Sequence, residues 1–138
     1  MIIENKIRKF FEDKPNVVSV DLFGSYAQQR ETASSDVDIA ILCDYNNIPT
    51  AFELIDWRED LEAIIHKKVD LVCLNDVSPI LGMQVDQYSK NLLMRNNRLY
   101  DNYQMKLFTM YAELKELRLP MEKNILERKI NVQFRSDH

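Results

Sequence analysis

Residues 17–42 constrain the fold more than any other part of this sequence. They begin with an apolar run, Val17–Phe23, that has the composition of a β-strand. The run ends at Gly24-Ser25, and ten residues then precede Asp36-Val37-Asp38, which leads directly into a second apolar run at 39–42. A small-residue turn and a carboxylate pair, each attached to a strand, predict a polar site at one end of a β-sheet.

The two carboxylates predict a metal site. Side chains alternate along a strand, so Asp36 and Asp38 are expected on the same face, about 7 Å apart. Mg²⁺ prefers carboxylate oxygens and completes its shell with water and substrate phosphates. This pair can therefore hold one metal ion or a pair of ions that binds the oxygens of a phosphate group.

The Gly-Ser turn predicts a phosphate site beside that metal. Gly24 has no Cβ, so a phosphate can approach the backbone closely. Ser25 precedes a predicted short helix at 26–29, whose first N–H groups suit an anion. Taken singly, a Gly-Ser turn is usually a loop and an Asp-x-Asp is usually solvated charge, so the prediction depends on the combination and its spacing.

The remaining pattern predicts an α/β domain. Helices are expected at 2–13, 50–66, 78–90 and 99–118, strands at 17–23, 36–43 and 69–74, and either a short strand or a packing segment at 92–94. We expect a small mixed sheet with its carboxylates on one side and helices on the other.

The third predicted strand, Val69–Leu74, contains a third carboxylate. A charge inside an apolar run is costly unless it is paired with a cation, which favours a metal-binding role for Asp70. If Asp70 shares the face of Asp36 and Asp38, then Cys43 and Cys73 lie on the opposite face. The alternative is a strand-start aspartate paired with Lys67 or Lys68.

Composition narrows the class of protein. A chain of 138 residues suits one domain with one core. No apolar run reaches the roughly 20 residues of a membrane span, and two cysteines provide no disulfide framework, so we expect a cytoplasmic protein. The net charge of −4 argues against direct nucleic-acid binding.

The helix predicted at 99–118 is apolar on two sides. Its main apolar face includes Tyr103 and Leu107, whereas Met105, Phe108 and Ala112 lie roughly opposite. Two interpretations remain open for that second side. Either the chain after Pro120 covers it, or it binds a partner.

The pattern Gly24-Ser25-x10-Asp36-x-Asp38 resembles the signature of the DNA polymerase beta-like nucleotidyltransferase superfamily. The sequence of residues 22–27, Leu-Phe-Gly-Ser-Tyr-Ala, resembles that of the minimal nucleotidyltransferases in this superfamily, particularly the MntA-type antitoxins of HEPN-domain toxins. The resemblance implies a polymerase beta-like fold, with a nucleotidyltransferase core at 1–94 and a partner-binding helical extension at 95–138. Relatives usually carry glycine at the position of Gln29, where this chain departs from the pattern.

The same resemblance implies an Mg²⁺-dependent transfer of AMP from ATP. Asp36, Asp38 and Asp70 would be the catalytic carboxylates and hold the metal, as two ions, while Gly24 and Ser25 would bind the phosphates of ATP. The implied acceptor is a tyrosine of a HEPN ribonuclease toxin, which adenylylation silences. Two alternatives stay open: a non-catalytic module that binds the toxin, and a small-molecule nucleotidyltransferase of the aminoglycoside type.

Overall fold

The computed structural model describes residues 2–32 and 34–136, with side chains described as far as Leu117. These residues form four strands and four α-helices. In order they are α1 (Ile2–Glu12), β1 (Val17–Phe23), β2 (Val37–Cys43), α2 (Ala51–Ile65), β3 (Val69–Cys73), α3 (Pro79–Tyr88), β4 (Lys90–Met94) and α4 (Asn97–Ser136), with a 3-10 turn at Leu74–Asp76.

The strands form one mixed sheet in the order β3-β2-β1-β4. β1 lies antiparallel to both β2 and β4, and β2 lies parallel to β3. The predicted α/β class, the mixed sheet and the strands predicted at 17–23, 36–43 and 69–74 are confirmed. The segment at 92–94, left open between strand and packing segment, belongs to the edge strand β4.

Local sequence signals account for two of the helix starts. Thr50 accepts a hydrogen bond from the backbone N–H of Glu53 while the Glu53 side chain accepts from the Thr50 N–H, which is a capping box at the start of α2. The Ser78 side chain accepts a hydrogen bond from the backbone N–H of Leu81 at the start of α3, and Pro79 follows at the first helical position, where proline is favoured. Both helices therefore begin where the sequence predicts.

Each face of the sheet is covered by helices. One face, with Ile39 and Ile41, packs on α1 and α2, and the buried cysteines Cys43 and Cys73 lie in the same cluster. The opposite face, with Ala40 and Leu42, packs on α3 and the start of α4. Of the residues that the structure describes, both cysteines are free, and the predicted placement of this pair is confirmed.

The expectation that helices cover only one side of the sheet is therefore wrong. Residues 39–42 are apolar at every position, and such a run indicates a strand that is buried on both faces. Because Ala40 and Leu42 lie on the face of Asp38, the apolar part of that face needs cover. The structure supplies it with α3 and α4 beside the carboxylates.

The C-terminal helix is longer than the sequence predicts. α4 continues through Pro120 to Ser136, whereas the expected end was residue 118. An internal proline removes one backbone hydrogen bond and can bend a helix without ending it, and good helix formers lie on both sides of it here. The chain after Pro120 therefore does not return along α4; the side chains expected to pack there, from Met121 onward, lie outside the described ones.

An arginine fixes the start of β1 to the end of α1. The guanidinium of Arg95 donates hydrogen bonds to the carbonyl oxygens of Phe11, Glu12, Lys14 and Val17 at 2.7–2.9 Å. It thereby satisfies the carbonyl groups that a helix end leaves free.

Within the described part of the chain, no helix is long and apolar enough to cross a membrane.

Candidate nucleotidyltransferase active site

The register of the sheet brings the Gly-Ser turn to the carboxylates. Phe23, the last residue of β1, lies opposite Asp38 on β2. Gly24 follows immediately, with φ of +73°, and a Cβ built on it would overlap Oδ2 of Asp38 and lie 3.1 Å from its Cγ. Glycine is therefore needed twice at this position, for its backbone conformation and for the space that the carboxylate occupies.

The three predicted carboxylates lie in one neighbourhood. Asp38 on β2 is the direct neighbour of Asp70 on the parallel strand β3. Asp36 is exposed and lies just before β2 begins. Burial, then Asp70, then Asp36 raise the pKa of Asp38, so the three negative charges repel one another across this edge of the sheet.

Asp70 is exposed, which corrects one argument made from the sequence. The cost of burying a charge was the reason for assigning it a role, and the structure places this side chain in solvent. The argument from strand parity holds, because Asp70 lies directly beside Asp38. Its position, and not its burial, connects it with the other two carboxylates.

The segment after Gly24 is a series of turns, so the predicted helix at 26–29 is wrong. Gln28 N–H donates to the Gly24 carbonyl at 3.3 Å, and Arg30 N–H donates to the Ser25 carbonyl at 2.8 Å. Gln29 has φ of +56°, a left-handed conformation that glycine adopts without strain. Glycine would therefore suit position 29, in line with the glycine that the resemblance implies there.

Replacing Gly24 with alanine is expected to damage both fold and site. The left-handed backbone alone costs a non-glycine residue about 1–2 kcal/mol, and the new methyl group must displace the Asp38 carboxylate. We expect a loss of roughly 2 kcal/mol or more in the free energy of unfolding, and at least a tenfold loss of nucleotidyl transfer. Urea denaturation and the transfer rate of the folded variant measure the two effects.

Gly82→Ala is the control for this substitution. The added methyl group of that variant would meet the Leu107 side chain in the core, away from Asp38. It is expected to lower stability while the folded protein keeps its transfer rate. Equal transfer rates for Gly24→Ala and the wild type would contradict the inference that position 24 must leave space for the Asp38 carboxylate.

Asp21 is a buried carboxylate that the sequence analysis did not single out. It lies opposite Ala40, on the face of the sheet that carries Asp38, and is only 1% exposed. The Asn91 side chain donates to its Oδ1 at 2.8 Å, and its Oδ2 has no hydrogen-bond partner among the described residues. Burial raises the pKa of Asp21 to about 6, opposed by the Asn91 hydrogen bond and assisted by Asp86.

The arrangement suits a hard cation without forming a complete metal site by itself. Among the side chains that the structure describes, which end at Leu117, no group of three or more His, Cys, Asp or Glu residues stands ready to hold a metal ion. The available donors are carboxylate oxygens, which Mg²⁺ and similar ions prefer. A divalent cation between Asp38 and Asp70 would offset the repulsion that raises the Asp38 pKa.

Residues 5–98 match the family described as polymerase beta nucleotidyltransferases. The chain belongs to this family, and the nucleotidyltransferase fold and class of enzyme predicted from the sequence are confirmed. The match covers the sheet, the Gly-Ser turn and all three carboxylates.

Two relatives are similar over much of the chain. The protein adenylyltransferase MntA of Shewanella oneidensis is 33% identical over 116 residues, which cover 80% of this chain and 78% of that protein. A relative from Methanocaldococcus jannaschii is 44% identical over 86 residues, or 62% of this chain and 86% of that protein.

Solved structures match over still more of the chain. A crystal structure of a toxin-antitoxin with AMP-PNP has a TM-score of 0.79 and 29% identity, and the match covers 89% of this chain and 98% of the other. A structure of the tri-AMPylated Shewanella oneidensis HEPN toxin in complex with its MNT antitoxin has a TM-score of 0.74 and 27% identity, covering 91% and 97%.

Proposed function

We propose that this protein is an antitoxin that transfers AMP from ATP to a tyrosine hydroxyl of a HEPN-domain toxin. The observation that carries the proposal is the contact between Gly24 and Asp38, with Asp70 on the next strand, because it joins the Gly-Ser turn to a carboxylate cluster. The relatives named as protein adenylyltransferases and the AMPylated toxin complex support the choice of AMP and of a protein acceptor.

Asp36, Asp38 and Asp70 are proposed to hold Mg²⁺, with two ions shared among the three carboxylates. The donor set fits, since Asp38 carries a raised pKa that a cation would lower. The bound ions would neutralise charge on the triphosphate. ATP and Mg²⁺ are both plentiful in the cytoplasm, where we propose that the protein acts.

The residues of the turn are proposed to orient the triphosphate. Gly24 leaves the backbone open to close approach, and the Ser25 hydroxyl lies at the start of the same turn. Anions are favoured where backbone N–H groups point outward from such turns. Holding the phosphates in one orientation is the main way in which a protein accelerates this class of transfer.

The proposed reaction is one displacement at the α-phosphorus of ATP. The tyrosine oxygen forms a bond to that phosphorus, the bond between the α-phosphorus and the bridging oxygen breaks, and pyrophosphate leaves. Asp70 is proposed to take the proton of the tyrosine hydroxyl, because it is the exposed carboxylate on the strand beside Asp38. A negatively charged AMP group then remains on the toxin.

Intact mass spectrometry of the protein encoded by the adjacent gene tests this proposal. After incubation with ATP and Mg²⁺, we expect that protein to gain one or more AMP units on tyrosine, and to gain none with Asp36→Ala/Asp38→Ala. Tight binding without any mass gain would instead indicate the non-catalytic module. Modification of an aminoglycoside with no effect on the protein would indicate the small-molecule enzyme.

A further inference from the structure

Lys67 lies in the short segment that joins α2 to β3, at the carboxylate end of the sheet. The carbonyl oxygen of the next residue, Lys68, accepts a hydrogen bond from the backbone N–H of Val37 at 2.9 Å. Val37 separates Asp36 from Asp38 in the chain. This hydrogen bond therefore holds the segment beside two of the three carboxylates of the proposed metal site.

The ammonium group of Lys67 lies beside the Gly-Ser turn. Its Nζ is 6.0 Å from the centre of the Tyr26 ring. Tyr26 directly follows Ser25, and its carbonyl oxygen accepts a hydrogen bond from the N–H of Gln29 at 3.4 Å, so it belongs to the turn. A lysine from a distant part of the chain is thus brought next to the residues that are proposed to bind the phosphates.

Lys67 is better prepared to bind a ligand at this place than its neighbour in the chain. Its side chain is half-buried, whereas that of Lys68 is exposed. A long side chain whose stem already packs on its neighbours has less rotamer freedom to lose when its charged end binds a ligand. The face of the Tyr26 ring also attracts the cation, which helps to hold the ammonium group near the turn.

The proposed reaction calls for a positive charge in addition to the metal ions. Three carboxylates and a bound triphosphate together carry more negative charge than two Mg²⁺ ions neutralise. Charged donors such as a lysine ammonium group form the stronger hydrogen bonds to phosphate oxygens. The β- and γ-phosphates remain charged when they leave as pyrophosphate, so a fixed positive charge near them acts during the transfer as well as in binding.

We infer that Lys67 binds the β- and γ-phosphates of ATP through its ammonium group. This inference rests on the proposed function, because it assigns a further residue to the same nucleotide site. Tyr26 packs on the cluster that α1 and α2 cover, whereas Asp38 lies on the opposite face of the sheet. The metal ions and Lys67 therefore contact the triphosphate from opposite sides of the sheet end.

The test compares Lys67→Met with Lys68→Met by calorimetric titration with AMP-PNP, an analogue of ATP, in the presence of Mg²⁺ and without the toxin. Methionine keeps a long stem and removes the charge, so both variants lose one positive charge from the same segment. Lys67→Met is expected to bind AMP-PNP about 10- to 100-fold more weakly, the range for a lost hydrogen bond to a charged group. Lys68→Met should bind it as the wild type does.

Two further measurements separate a phosphate contact from a general defect. AMP, which lacks the β- and γ-phosphates, should bind to Lys67→Met and to the wild type with equal affinity. Urea denaturation should give both proteins the same free energy of unfolding. An equal loss of affinity for AMP and for AMP-PNP would overturn the inference, as would an equal loss in Lys68→Met.

The remaining outcomes distinguish this inference from the proposed function. If Arg30→Ala weakens AMP-PNP binding and Lys67→Met does not, the turn itself holds these phosphates and the inference is wrong. Unchanged AMP-PNP binding by Lys67→Met, together with labelling of the toxin by the wild type, would overturn the inference and leave the function standing. A wild type that neither binds AMP-PNP nor labels the toxin would overturn both proposals.

Discussion

Asp38→Asn is expected to reduce AMP transfer by on the order of 10³-fold, because the variant loses the central carboxylate of the proposed metal site. A metal ion that neutralises phosphate charge contributes several kcal/mol to transition-state stabilisation, which corresponds to a loss of this size. Steady-state transfer of AMP to the toxin, measured at saturating ATP, gives the rate.

The stability of Asp38→Asn should not fall with its activity. The raised pKa of Asp38 means that its charged form costs stability at neutral pH, since burial and the charges of Asp70 and Asp36 disfavour it. We expect an unfolding free energy equal to or higher than that of the wild type. Asp56→Asn, an exposed change on α2, should leave both quantities unchanged. Retention of more than a tenth of the activity by Asp38→Asn would contradict the assigned role.

Relative to the wild type, the unfolding free energy of Asp21→Asn is expected to rise by about 2–3 kcal/mol between pH 4 and pH 8. The folded-state pKa of Asp21 is raised from 3.8 to about 6 by burial. Keeping this carboxylate charged at high pH costs roughly 1.4 kcal/mol for each unit of that difference. The neutral amide avoids this cost and keeps an oxygen to accept the Asn91 hydrogen bond, while its NH2 group takes the place of the unpartnered Oδ2 and adds a cost that does not change with pH.

The pH dependence of the effect identifies its cause. Because the folded protein binds the Asp21 proton more tightly than the unfolded chain, the stability from this group is fully present below pH 3.8 and is lost as the pH rises through 6. The unfolding free energy of Asp21→Asn relative to the wild type should therefore be lowest at pH 4 and highest above pH 7. Urea denaturation across this range measures it, with Asp56→Asn as control, and a gain that is the same at every pH would contradict the assignment.

The centre of the site could be predicted from the sequence because strand and turn chemistry determine it locally. Gly24, Ser25 and the aspartate pair are each linked to an apolar run, and two adjacent antiparallel strands must bring the ends that carry them together. With Asp70 on the face of Asp38, the alternation of side chains also puts Cys43 and Cys73 on the opposite face, as the structure shows. These relations depend on the period of a strand, which can be read from a single sequence, whereas the registers of β1 and β3 against β2 come from the structure.

Other features depend on contacts between distant parts of the chain. Asp21 sits inside an apolar strand, and the argument from burial cost that was applied to Asp70 applies to it with greater force. The strand pattern alone does not show that helices α3 and α4 cover Asp21 and leave Asp70 exposed. The path of α4 beyond Pro120 is a second example. The proline removes one backbone hydrogen bond, but the helix-forming residues around it outweigh that loss, so a prediction that ends the helix at the proline is wrong.

Transfer from ATP labelled at the α-phosphate, compared with ATP labelled at the γ-phosphate, tests the central claim most directly. The wild-type protein, Mg²⁺ and the adjacent-gene toxin are mixed with each nucleotide, and the toxin is then isolated. The account predicts label on the toxin from the α-phosphate only, and none with Asp36→Ala/Asp38→Ala. Label from the γ-phosphate, or equal labelling by the double variant, would contradict adenylyl transfer at this site.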